Sequence, residues 1–104
     1  MGASIRSHKG IRPQLHDSVF VDPAAVVIGD VALGDDASLW FSCVARGDVN
    51  AIRIGARSNI QDMCCLHVTN ERFPLHIGEE VSVAHNVMLH GCTVGKGALI
   101  GMSS

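Results

Sequence analysis

The feature that most constrains this 104-residue chain is a six-residue period of aliphatic or small residues. An α-helix of 3.6 residues per turn cannot keep such a repeat on one face, and an alternating strand does not need a small residue at a fixed offset. Here the residue four positions after most repeat positions is small or β-branched. The repeat falls in three runs: Val21, Val27, Leu33, Leu39 and Ala45; Ile54, Ile60 and Leu66; then Ile77, Val83 and Leu89, which Val94 and Ile100 continue after one shortened step.

This period predicts an all-β fold, a parallel β-helix of hexapeptide repeats shaped as a triangular prism. Three six-residue sides make one coil, each side points its aliphatic residue inward, and coils stack at about 4.8 Å. Only 4% of the residues are aromatic and none is Tyr, as expected of an interior too narrow for rings. We expect an N-terminal segment over residues 1–16 and the β-helix domain over residues 17–104.

Two interruptions of the period predict outward loops at corners of the prism. Ile54 comes nine positions after Ala45, three more than one side, and Ile77 comes eleven positions after Leu66, five more than one side. The dipeptide Phe73-Pro74 lies in the second interval, and proline cannot donate to a strand ladder. With these two loops set aside, each repeat position can be assigned to a side. Side A carries Leu39, Ile60 and Val83; side B carries Ala45, Leu66 and Leu89; side C carries Ile54 and Ile77.

This assignment brings polar residues of distant segments together. Arg46, His67 and His90 each follow the inward residue of side B in successive coils, so they form one outward column. His67 and His90 should be vertical neighbours at about 5 Å, close enough for both imidazoles to bind one zinc ion. His85 lies two residues after Val83 on side A, around a corner. It could complete the same site from a neighbouring subunit, if three prisms pack in a closed trimer.

Five short segments resemble the γ-class carbonic anhydrase family and its close bacterial relatives. They are Arg-Gly-Asp at 46–48, Asn-Ile-Gln-Asp at 59–62, Leu-His at 66–67, Ala-His-Asn at 84–86 and Leu-His-Gly-Cys at 89–92. The resemblance implies a left-handed β-helix and a divalent metal at the interface of a homotrimer. Its ligands would be His67 and His90 of one subunit and His85 of the next.

The same resemblance implies roles for five further residues. Arg46 and Asp48 would form ion pairs between subunits, and Gln61 would orient a metal-bound hydroxide or the product. Asn59 and Asp62 would be nearby groups of the catalytic site. An amide can hold such an oxygen without adding charge, and a carboxylate can fix the tautomer of a ligating histidine.

The activity implied is the reversible hydration of carbon dioxide to bicarbonate by a zinc-dependent lyase of the carbonate dehydratase type. Three neutral histidines leave zinc one open position and lower the pKa of its bound water to about 7. Histidine ligands also suit iron(II) and cobalt.

Departures from the family pattern keep two alternatives open. Val49 follows Asp48 where the best-understood family member has a proton-exporting glutamate, and the second loop has one glutamate, Glu71. Either Glu71 or His76 could substitute for the missing proton-exporting groups. The sequence ends at residue 104, where we expect the family's further coils and C-terminal helix to be lacking. The alternatives are a thioesterase acting on small acyl-coenzyme A, with Arg53, Arg57 and Arg72 along a groove, and a trimeric metal-binding or structural protein without turnover.

Composition excludes other classes of partner. Eight Lys and Arg against ten Asp and Glu give a net charge of −2, so neither nucleic acid nor an anionic membrane is an expected partner. No apolar run reaches the ~18 residues of a membrane helix, and we expect a cytoplasmic protein. The four cysteines fit neither a zinc pair nor a secreted disulfide framework and suggest buried thiols. Cys43 and Cys64 share an inward offset in adjacent coils, close enough to bridge, although a reducing cytosol favours thiols.

Overall fold

The computed structural model describes residues 4–68 and 73–104, and within those ranges the chain forms strands and no helix. Every ladder between these strands is parallel, so the chain winds as a β-solenoid. The strands are β1 Ser4–Arg6, β2 Gln14–Leu15, β3 Phe20–Val21, β4 Val26–Leu33, β5 Ser38–Leu39, β6 Val44–Ile54, β7 Asn59–Ile60, β8 Cys65–His67, β9 Leu75–Ile77, β10 Ser82–Val83, β11 Met88–His90, β12 Thr93–Val94 and β13 Leu99–Ile100.

The register of these strands confirms the three sides counted from the sequence. Side A is the sheet β3, β5, β7, β10 and β13, in which Val21, Leu39, Ile60, Val83 and Ile100 are successive partners. On side B the successive partners are Ile5, Val27, Ala45, Leu66 and Leu89. On side C they are Leu15, Leu33, Ile54, Ile77 and Val94.

The core is the stack of inward side chains from the three sides. Along β4 and β6 half-buried or exposed residues alternate with buried ones over most of the length, as expected of strands with one face inward. Leu39, Ile60, Leu66 and Val83 are completely buried, and aliphatic side chains of this size fill the prism. A column of small residues, with Cys43 and Cys64 in its middle, packs into the corner between sides A and B.

The two insertions differ in form. The extra residues between Ala45 and Ile54 stay within β6 as a bulge at the corner between sides B and C, and do not form a separate loop. The ladder with β4 pairs Gly29 with Gly47 and then jumps to Val31 with Ile52. The second insertion separates β8 from β9. Its residues 69–72, which include Glu71 and Arg72, lie outside the described residues.

Part of the N-terminal segment joins the solenoid. β1 pairs with the first half of β4 and β2 with the second half, so residues before position 17 extend sides B and C by one more coil. Between β1 and β2, His8 and Ile11 exchange two backbone hydrogen bonds of 2.9 Å around a tight turn. Leu15 of β2 lies six residues before Val21 and continues the period, whereas Ile5 of β1 lies ten residues before Leu15 and could not be found from it. The domain boundary after residue 16 stays a prediction. No helix that could span a membrane is found within 4–68 and 73–104.

Candidate metal centre

His67 and His90 form a stacked pair on side B. They are direct partners in the ladder between β8 and β11, and their ring centroids lie 5.1 Å apart with the planes tilted by 58°. The separation agrees with the coil spacing of about 5 Å predicted from the sequence. Arg46 lies one coil before His67, because Ala45 and Leu66 are partners in the ladder between β6 and β8. The outward column is therefore present, while the role of its histidines as metal ligands stays a prediction.

The imidazole of His67 contacts both members of an ion pair. Its Nε2 lies 3.0 Å from Oδ1 of Asp48 and 3.0 Å from Nη2 of Arg46, and its Nδ1 lies 3.4 Å from the same guanidinium nitrogen. Arg46 Nε in turn lies 3.2 Å from Oδ2 of Asp48. A guanidinium can only donate and a carboxylate can only accept. The consistent neutral tautomer has Nε2–H of His67 donating to Asp48 and Nδ1 accepting from Arg46.

Asp48 is held as a carboxylate by these neighbours. Burial raises its pKa, but the hydrogen bond from His67, the charge that this ring carries once protonated, and Arg46 outweigh burial and leave the pKa below its ordinary value. The ion pair between Arg46 and Asp48 lies within one chain here. An ion pair between subunits, which the family resemblance implies, is a further prediction.

His85 lies on a different face, beside Asp62. The two residues share one offset on side A in successive coils, and Nδ1 of His85 is 3.9 Å from Oδ2 of Asp62. This distance is too long for a hydrogen bond, so the contact is a weak electrostatic one. Both side chains are exposed, at 53% for His85 and 40% for Asp62.

Asn59 and Gln61 form a short amide chain on the outside of side A. Nε2 of Gln61 donates to Oδ1 of Asn59 at 2.7 Å, and Nδ2 of Asn59 donates to Oγ of Ser82 at 3.2 Å. All three side chains are half-buried. Ser82 was not identified from the sequence, although it has the same offset as Asn59 one coil later and the register could have revealed it.

Two histidines thus meet on one face and the third lies on another. Among the residues that the structure describes, no three His, Cys, Asp or Glu side chains converge on a common point within the chain. Trp40 follows the inward Leu39 and points outward; it is half-buried and packs against Phe20 with ring centroids 4.8 Å apart and planes tilted by 48°.

Relatives of known sequence were found by comparison with other proteins. Protein YrdA of Escherichia coli is 48% identical over 110 residues, which cover all of this chain and 60% of that protein. A mitochondrial protein of Arabidopsis thaliana named gamma carbonic anhydrase 2 is 44% identical over 97 residues, which cover 88% of this chain and 35% of that protein. The chain spans about a third to three fifths of the length of these relatives. No family model matches it.

A solved structure matches the fold closely. The Bacillus cereus protein, described as a putative acetyltransferase, superposes with a TM-score of 0.94 at 41% identity, over 98% of this chain and 59% of that one. A parallel solenoid built on a six-residue period defines the class of hexapeptide-repeat proteins. Within that class, the relatives show that this chain belongs to the γ-carbonic anhydrase-like family.

Proposed function

We propose that the chain carries the metal-binding part of a homotrimeric carbonic anhydrase-like enzyme that interconverts carbon dioxide and bicarbonate. His67 and His90 of one subunit and His85 of its neighbour would hold a zinc ion. The observation that carries the proposal is the His67–His90 pair with centroids 5.1 Å apart, next to the carboxylate of Asp48. Carbonic anhydrases among the relatives support it.

The donor set fits a divalent ion of the zinc type. Two imidazoles on adjacent strands can each direct a nitrogen to one ion at about 2.0–2.1 Å, and neutral histidines suit zinc, iron(II) and cobalt alike. When bound, zinc would supply a water of lowered pKa, near 7, as a nucleophile at neutral pH. This chain's residues would then bind the substrate, orient it and fix the protons.

Arg46 has to move for His67 to bind a metal. In the tautomer assigned above, Nδ1 of His67 is the unprotonated nitrogen and it faces the guanidinium of Arg46 at 3.4 Å. In the proposed trimer Arg46 would turn to a carboxylate across the subunit interface and so uncover the ring. Asp48 would keep its hydrogen bond to Nε2 and hold the imidazole in place.

Gln61 and Asp62 would serve the substrate and the third ligand. The hydrogen bond to Asn59 fixes the amide plane of Gln61, which leaves a second N–H and the carbonyl to bind an oxygen of the substrate. If Asp62 closes the 3.9 Å gap and accepts a hydrogen bond from Nδ1–H of His85, Nε2 would be the nitrogen offered to the ion. Both residues therefore act through orientation and proton placement.

The charge distribution disfavours the thioesterase alternative. Coenzyme A needs free cations for its phosphates, but Arg53 lies 2.9 Å from Oδ1 of Asp30. Arg57 lies 3.7 Å from Glu79 and 3.9 Å from Glu80. Of the three arginines suggested for the groove, the structure describes Arg53 and Arg57, and both are already paired with carboxylates.

The experiment that tests the proposal is stopped-flow hydration of carbon dioxide on protein whose metal content has been measured. We expect hydration proportional to bound metal and abolished in His90→Ala. His16→Ala is the matched control, because His16 is an exposed histidine that contacts Ser18 and Asp35. A fully metal-loaded trimer that does not hydrate carbon dioxide would overturn the proposal.

A further inference from the structure

Cys43 and Cys64 form a buried thiol pair in the corner between sides A and B. They are 0% and 1% exposed and occupy the same inward offset in adjacent coils. The residues before and after them in this column, Ala25 and Val87, are aliphatic. Neither cysteine is bridged in this structure.

Each sulfur also contacts the backbone of the candidate site. Sγ of Cys43 lies 2.8 Å from the carbonyl oxygen of Gln61, and Sγ of Cys64 lies 2.9 Å from that of Ala84, the residue before His85. A thiol has one hydrogen to donate. Each thiol therefore donates its proton to a carbonyl oxygen of a turn that carries residues of the candidate site.

We propose that Cys43 and Cys64 are a reversible oxidation site that a peroxide converts to a disulfide. The thiolate of one cysteine attacks a peroxide oxygen, which breaks the O–O bond, forms a sulfenic acid and releases hydroxide. The second sulfur attacks the sulfenic sulfur and releases a second hydroxide. With hydrogen peroxide, two thiols are oxidised, one peroxide is reduced, and two waters are formed. A dithiol reductant reverses the change by exchange.

The geometry suits this reaction. Adjacent parallel strands lie about 4.8 Å apart, within the ~4.4–6.8 Å that Cα atoms joined by a disulfide span. The turns that lead into the two cysteines face solvent, since Phe41 and Met63 are 53% and 64% exposed, and hydrogen peroxide would reach the pair from this side. The interaction with the neighbouring Cys43 thiol outweighs burial and lowers the pKa of Cys64 to about 7, which favours Cys64 as the attacking thiolate.

Oxidation would also alter the site, an effect that rests on the proposed function. A disulfide has no S–H, so the carbonyls of Gln61 and Ala84 would both lose a donor. The turns that orient Gln61 and His85 would then relax. We expect the oxidised trimer to hydrate carbon dioxide more slowly than the reduced trimer at equal metal content.

Peptide mapping of peroxide-treated protein tests the oxidation site independently of activity. Tryptic cleavage places Cys43 in the peptide 10–46, and Cys64 and Cys65 together in the peptide 58–72. We expect a cross-link between these peptides that a dithiol removes, that persists in Cys65→Ser, and that is lost in both Cys43→Ser and Cys64→Ser. Serine keeps a donor of similar size, so these variants should fold.

Two outcomes would overturn the proposal. One is oxidation of the half-buried Cys65 or Cys92 with no cross-link between peptides 10–46 and 58–72. The other is a cross-link that disappears in Cys65→Ser. If the cross-link forms but the hydration rate does not change, the Cys43–Cys64 pair is confirmed as an oxidation site and its proposed effect on the metal centre is wrong. If the reduced trimer shows no hydration at all, the proposed function fails and the mapping result is unaffected.

Discussion

The rings of His67 and His90 lie 5.1 Å apart, although 23 positions separate them in sequence. If these rings hold a metal, His67→Ala and His90→Ala should each lose nearly all bound zinc, because one remaining ligand of the pair binds weakly. Metal content after dialysis, measured by atomic spectroscopy, is the readout. His76→Ala is the control, since His76 is exposed on side C. Full metal retention in His90→Ala would contradict the prediction.

Mixing two inactive variants tests whether the site is shared between subunits. His85→Ala and His90→Ala trimers should each bind almost no metal. In a trimer reassembled from equal amounts of both, a complete site forms only where an intact His67–His90 pair faces an intact His85. Random assembly in a closed trimer should restore about one quarter of the metal bound by the natural sequence. No recovery on mixing would place all ligands in one chain or remove His85 from the site.

Gly55 should not tolerate a methyl group. A Cβ on this residue would lie 2.5 Å from the backbone carbonyl carbon of Gly78 in the next coil, where nothing flexible can yield. Gly55→Ala should lower the free energy of unfolding by at least about 1 kcal/mol in a urea titration. Gly95 occupies the equivalent offset, but a Cβ there meets no atom within 4 Å, so Gly95→Ala is the matched control. Equal losses of stability in the two variants would show that contacts between stacked coils are not the reason why position 55 requires glycine.

Leu66 holds the core beneath the histidine column. It is completely buried, and Leu66→Ala should cost about 2–5 kcal/mol in the free energy of unfolding, through lost burial and an unfilled cavity. Leu99 is 75% exposed, and Leu99→Ala should change stability by no more than about 0.5 kcal/mol. Chemical denaturation followed by circular dichroism gives both values. A small effect at Leu66 would mean that the prism repacks around the vacancy.

Asp48 should make the fold sensitive to acid. Its pKa is below the ordinary value in the folded chain, so the ionised carboxylate stabilises the fold above the unfolded pKa of about 3.9. That contribution is lost as the pH falls through the folded pKa. The Tm of Asp48→Asn should therefore fall less steeply than that of the natural sequence below about pH 4. Asp17→Asn is the control, because Asp17 is exposed and forms no ion pair with the residues described. If the Tm of Asp17→Asn also falls less steeply with acid, the effect at Asp48 is a general effect of removing a negative charge.

The register of the solenoid could be predicted because it depends only on counting. Leu39, Ile60 and Val83 became partners once the surplus residues of the two insertions were subtracted. The same count put His67 beside His90, since outward neighbours follow inward ones. The pairing of Asp62 with His85 and the contact between Cys43 and Cys64 follow from the same period.

The form of the corners and the contacts of long side chains could not be predicted in this way. Whether the extra residues near Asp48 form a loop or a bulge depends on how closely Gly29 and Gly47 stack, since a Cβ on Gly29 would overlap the carbonyl oxygen of Gly47. Arg46 has several rotatable bonds, so its contact with His67 depends on the nearby Asp48 carboxylate and not on spacing. β1 lies ten residues before the nearest repeat position, Leu15, so the period does not reach it.

The corner bulge of β6 has a consequence for how such a chain can change. Residues added at a corner leave the vertical partners of every later coil as they were, as Ile54 and Ile77 show beyond the two insertions. One residue added within a side would turn each following side chain on that side from inside to outside. Variation in length is thus tolerated at the corners and excluded from the sides. The surroundings of the two stacked histidines can therefore be rebuilt while the histidines themselves stay in register.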